Sequence, residues 1–140
     1  MDINARVLAV DGDETVLRYY CRVLAGANCA VRTAKTGEEA QEMFAHEAFD
    51  VVLMEYVIPG SDGHVVLRAI KDVWPDTEVV VITAAPSVGH AKEAIRLGAC
   101  DYLTKPVAPD QLILAAARAA LQKKWALHRI PARDPVQLTH

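Results

Sequence analysis

Three short runs, Val7-Leu-Ala-Val10, Val51-Val-Leu-Met54 and Val79-Val-Val-Ile82, are apolar at every position and rich in β-branched residues. A strand with one wet face alternates apolar and polar side chains, so unbroken apolar runs predict parallel strands covered on both faces. Two weaker runs, Cys29 to Thr33 and Cys100 to Leu103, have the length and position of further strands. Between the five runs, apolar residues recur at helical intervals over 14–25, 37–47, 63–73, 88–97 and 109–127. Thr36 and Ser87 stand where helices two and four need an N-cap, Asp62 serves helix three, and Asp13 serves helix one. Gly26 and Gly98 stand where helices one and four stop.

Strand alternating with helix five times implies right-handed crossovers and a doubly wound five-stranded parallel sheet, a (βα)5 α/β fold. In such a sheet the ligand site lies beyond the carboxyl ends of the strands. The 140 residues fit one domain, taken as 1–127. Pro131 and Pro135 oppose a continuing helix, so 128–140 reads as a tail or linker leading to an effector module.

Charge and cysteine content narrow the function. Of the 18 acidic residues only Asp134 lies beyond position 120, against Lys123, Lys124, Arg129 and Arg133 among the 15 basic ones. An acidic body lacks the clustered cations that direct nucleic-acid binding requires; the basic tail is read as a solvated segment. The 3 cysteines form no CxxC pair, which excludes a disulfide framework and fits a reducing, cytoplasmic setting. No apolar run has the length of about 20 residues needed to cross a bilayer, and no membrane partner is expected.

The residues that end the strands carry the chemistry. Asp11, Glu55 and Thr83 terminate the three central runs, and the fifth leads into Lys105 and Pro106. Any one of these alone would be an ordinary polar residue at a strand-to-loop boundary. Two carboxylates, a hydroxyl and an ammonium at equivalent positions of separate units instead predict a small acidic pocket, suited to a divalent cation and an oxyanion.

Five segments in order carry a resemblance: Val7-Leu-Ala-Val-Asp11, Ala34-Lys-Thr-Gly-Glu-Glu-Ala40, Asp50-Val-Val-Leu-Met-Glu55 with Pro59-Gly60 and Gly63, Val81-Ile-Thr-Ala84, and Gly98-Ala-Cys-Asp-Tyr-Leu-Thr-Lys-Pro106. From residue 5 to about 122 the chain resembles the response-regulator receiver domain of two-component signalling. The resemblance implies a flavodoxin-like strand order 2-1-3-4-5. It also implies a histidine kinase or phosphotransfer protein as phosphate donor, and output to an effector domain or a homodimer through the helix 4–strand 5–helix 5 surface. By position, Glu55 stands where the family has its phospho-accepting aspartate. Magnesium is then expected at Asp11, Glu55 and the carbonyl of Val57, phosphoryl oxygens at Thr83, Ala84 and Lys105, and the switch aromatic at Tyr102. The Lys105–Pro106 bond is expected to be cis. Ser87 to Gly98 looks most like receivers that precede sigma-54-type activator modules.

Two departures fall on this machinery. Gly12 replaces an acidic metal ligand, and Glu55 is one methylene longer than aspartate. Magnesium wants near-ideal octahedral oxygen ligation, so the loss of a carboxylate weakens the site; Asp13 is the available substitute. Phosphoryl transfer needs in-line placement, which a longer acceptor disturbs. Three readings follow: Glu55 paired to Lys105 in a domain that no longer cycles, a pocket that has drifted to inactivity, or a Glu55 that still accepts phosphate with Asp11 and Asp13 sharing the metal.

An enzyme reading also exists. Asp11-Gly-Asp13-Glu-Thr15 matches the DxDxT signature of haloacid-dehalogenase-type phosphatases, with Asp11 as nucleophile and Asp13 as general acid, yet only Asp110 follows Lys105 where an acidic pair is needed. His46, His64 and His90 lack partners at fixed spacing and read as surface residues. Trp74 is expected to pack at the end of helix three, and Trp125 near the end of helix five to pack or to meet a partner.

Overall fold

The structure is a computed structural model that describes the backbone of residues 2–138 and the side chains of residues 2–124. Five strands, β1 (Arg6–Val10), β2 (Ala30–Ala34), β3 (Val51–Met54), β4 (Glu78–Thr83) and β5 (Asp101–Thr104), pair in parallel in the order 2-1-3-4-5. Five helices alternate with them: α1 (Glu14–Ala25), α2 (Gly37–His46), α3 (Gly63–Val73), α4 (Val88–Arg96) and α5 (Pro109–Leu138). The fold class is the one the strand–helix alternation implies, and the strand order is the one the family resemblance implies.

The apolar runs are buried on both faces because each alternate residue enters a different core. Val7, Ala9, Val51, Leu53, Val80 and Ile82 pack with Leu17, Tyr20 and Leu24 of α1 and with Leu112 and Ala116 of α5. Leu8, Val10, Val52, Met54, Val79 and Val81 face the other way, toward Phe44 of α2, Leu67 and Ile70 of α3, and Ala94 of α4. The small residues of α5 thus serve docking on the sheet, while Leu114 and Leu121 stay exposed.

Cap chemistry sets most helix starts. The Asp13, Thr36 and Ser87 side chains accept hydrogen bonds from the amides of Thr15, Glu39 and His90. Asp62 sits at the N-cap of α3 without a side-chain bond. Gly98 follows α4 with a positive φ, as a helix stop requires, whereas Gly26 stays right-handed and Asn28 supplies the left-handed residue after α1.

Two further differences from the sequence reading stand out. A short hairpin, Val57–Ile58 against Ser61–Asp62, lies between β3 and α3; two-residue strands leave no periodic signal. Helical backbone also continues through Leu138, past the expected end at 127. Trp125 lies outside the residues whose side chains are described. Lys123, grouped with the basic tail by sequence, is paired with Asp50 at 2.9 Å.

Candidate functional site

Strand register brings the expected residues together. Val10 pairs with Met54, and Met54 with Val81, so Asp11 and Glu55 emerge side by side, with the Glu55 amide bonded to the Val10 carbonyl. Thr83 pairs with Thr104, and the Lys105 amide donates to the Thr83 carbonyl, which carries Lys105 to the same edge. Lys105–Pro106 is cis. Asp11, Glu55 and Thr83 are buried, and the Lys105 side chain is 17% exposed.

Every oxygen of Glu55 is engaged. Oε2 accepts from the amides of Tyr56 at 2.7 Å and Val57 at 3.1 Å. Oε1 accepts from the Ala84 amide at 2.9 Å and from Lys105 Nζ at 3.1 Å. The same ammonium donates to Asp11 Oδ2 at 2.6 Å, while Asp11 Oδ1 accepts from the Asp13 amide at 2.8 Å. One cation therefore bridges two buried carboxylates. Thr83 Oγ1 accepts from the Ala85 amide at 3.0 Å.

Burial pushes the Glu55 carboxyl up, but the Thr83 hydroxyl, the Ala84 and Val57 amides and Lys105 outweigh it and hold the group below the ordinary glutamate value. For Lys105, burial favours the neutral amine, yet the two carboxylates win and raise it. Both groups are thus charged at neutral pH, as a buried pair must be to offset its lost hydration.

Of the magnesium ligands implied by the resemblance, Asp11 and Glu55 are brought together and share Lys105. Gly12 contributes no carboxylate; a Cβ there would lie 3.0 Å from Pro59 Cδ. The Asp13 carboxylate caps α1 through the Thr15 amide at 2.9 Å. Val57 lies in the short hairpin with an exposed side chain. Among the described residues, no group of three or more His, Cys, Asp or Glu is placed to hold a metal ion.

Tyr102 is half-buried, and its hydroxyl accepts from the Ser87 amide at 3.3 Å. A second aromatic, missed by sequence reasoning, is Tyr56. Its hydroxyl donates to Glu93 Oε1 of α4 at 2.6 Å, and its ring lies 5.2 Å from that of His90. His64 Nδ1 is 4.0 Å from Glu93 Oε1, so two of the three histidines read as surface residues border this cluster. His46 is exposed and pairs with Glu42 at 3.3 Å. Trp74 ends α3 and donates from its indole to the Phe44 carbonyl at 2.6 Å. Burial, with the charges of Glu78 and Asp101, pushes the Cys100 thiol up to about 12.

A parallel (βα)5 sheet with two carboxylates, a threonine and a lysine at its carboxyl edge defines a receiver-type signalling domain. A family model described as "Response regulator receiver domain" matches residues 7–117, and the chain belongs to that family. Receiver domains are signalling domains that work with histidine kinases and effector domains. The chain is 34% identical over 115 residues to the alginate biosynthesis transcriptional regulatory protein AlgB of Pseudomonas aeruginosa, covering 82% of this chain and 26% of that protein. It is 36% identical over 118 residues to the response regulator MprA of Mycobacterium leprae, covering 84% and 51%. The chain thus spans about a quarter to a half of the length of these relatives. Among solved structures, NtrX from Brucella abortus superposes with a TM-score of 0.86 at 30% identity, covering 92% of this chain and 30% of that one. The beryllofluoride-activated NtrC4 receiver domain dimer gives 0.80 at 32%, covering 84% and 98%. Among the described residues no helix is long and apolar enough to cross a membrane.

Proposed function

We propose that this receiver does not cycle through an acyl phosphate, and that Glu55 itself fills the place a phosphoryl group would take. The observation that carries the proposal is the position of Glu55 Oε1, between the Ala84 amide at 2.9 Å and Lys105 Nζ at 3.1 Å. By family position those donors grip a phosphoryl oxygen; here the extra methylene of glutamate delivers a carboxylate oxygen to both. A carboxylate already held by four donors is a poor nucleophile, because attack requires breaking charge-assisted hydrogen bonds in a buried setting.

Magnesium binding is weakened on the same grounds. Gly12 supplies no ligand, the Asp13 carboxylate is turned to α1, and Asp11 and Glu55 share Lys105. Those bonds also count against a phosphatase with Asp13 as general acid. Residues 1–127 act in this reading as a cytoplasmic interaction module, biased toward one state, that meets an effector domain or a second copy through α4, β5 and α5. The acidic body lacks the clustered cations that direct nucleic-acid binding requires.

Glu55→Ala separates this reading from a pocket that has merely drifted. Removing a structural Glu55 speeds amide exchange at Ala84, Lys105 and along α4. Unchanged exchange at those positions would mean that the carboxylate organises nothing.

A further inference from the structure

A cavity of about 730 Å³ opens between α1 and the segment Lys105–Val107. Its size is that of a small-molecule site, which ordinarily falls between about 300 and 1,000 Å³. The walls are largely apolar, formed by Val16, the ring of Tyr19, Pro106 and Val107. Tyr19 is fixed there, since its hydroxyl donates to the Val107 carbonyl at 2.6 Å.

The charged part of the lining gives the cavity a chemical preference. Arg18 and Arg22 line it one helical turn apart, both exposed. Neither makes an ion pair or a side-chain hydrogen bond among the described residues, although Arg6 and Arg32 both do.

We infer that this cavity binds a small amphipathic anion, with a flat apolar body against Val16, Tyr19 and Pro106 and its carboxylate or phosphate group at Arg18 and Arg22. Lys105 does not supply the anion contact, because its ammonium is already shared by Asp11 and Glu55. An occupant would press on the stem of Lys105 and on the cis Lys105–Pro106 turn. Ligand and signalling site would then be coupled without phosphoryl chemistry. The inference does not depend on how Glu55 behaves toward phosphate.

The test uses the full chain and naphthalene-2-carboxylate as probe, followed by amide chemical shifts. The carboxylate is expected to shift residues 15–22 and 105–107. The neutral naphthalene-2-carboxamide is expected to bind more weakly by about tenfold or more, and Arg18→Ala/Arg22→Ala to lose affinity by a similar factor. No shift at those residues, or equal affinity in the double arginine variant, overturns the inference. So does binding that survives loss of the arginines but is abolished by Thr83→Ala, which would put the anion on the strand-end site instead.

Discussion

The Tyr56 hydroxyl donates to Glu93 Oε1 at 2.6 Å, while the amide of the same tyrosine donates to Glu55 Oε2 at 2.7 Å. One residue thereby joins the strand-end carboxylate to α4. Burial first, and then Glu93, pushes the Tyr56 phenol up, so it remains a donor across the physiological range. Tyr102 reaches the same helix at its start, through the Ser87 amide.

Tyr56→Phe removes only the hydroxyl. Glu93 is partly exposed and can turn to water, so the cost is that of one hydrogen bond to a charged group, about 1–2 kcal/mol. Amide exchange in α4 should quicken while β3 is unaffected, which urea denaturation and exchange measurements together report.

Lys105→Met keeps the aliphatic stem but leaves Asp11 and Glu55 buried without their shared cation. Breaking a buried pair in this way costs about 3 kcal/mol or more. Removing the carboxylate as well, in Lys105→Met/Glu55→Gln, should recover part of that loss. A double-mutant cycle on denaturation midpoints measures the coupling.

The pH dependence follows from the directions of the two shifts. Glu55 is held below its ordinary value, so its contribution is complete above that value, about 4.3, and is lost as the pH falls through the lower folded value. Lys105 is raised, so its contribution is complete below about 10.4 and is lost as the pH rises through the higher folded value. The pair therefore adds constant stability between those limits. Glu55→Gln should lose less stability than the native chain on acidification below the lower limit, as urea midpoints at a series of pH values would show.

The fold was legible because its three central strands are apolar without interruption, and β1, β3 and β4 are the strands the two cores cover. Asp11, Glu55, Thr83 and Lys105 were legible for a related reason: each directly follows or ends a strand, and parallel register brings strand ends together. The Tyr56–Glu93 bond joins residues 37 apart in sequence with no fixed spacing, so only tertiary packing reveals it. The cavity beside α1 was equally hidden, since Arg18 and Arg22 on a sequence read as any exposed helix face. The end of α5 is not legible in the sequence, because Pro131 and Pro135 locally oppose a helix that in the structure continues through Leu138.

Gly12 and Glu55 are the two positions at which the resemblance implies other residues, and on the proposed reading restoring both should restore the chemistry. Gly12→Asp alone adds a carboxylate, for which Pro59 must give by a few tenths of an ångström. Adding Glu55→Asp withdraws the carboxylate from Ala84 and Lys105. The double variant is expected to bind magnesium more tightly than the native chain, seen as amide shifts at 11–13 and 55–57 at lower magnesium concentration.

Incubation with acetyl phosphate and magnesium, followed by intact-mass measurement, tests the account most directly. The native chain should gain no phosphoryl group, and Gly12→Asp/Glu55→Asp should gain one. A phosphoryl group found on Glu55 of the native chain would contradict the central claim.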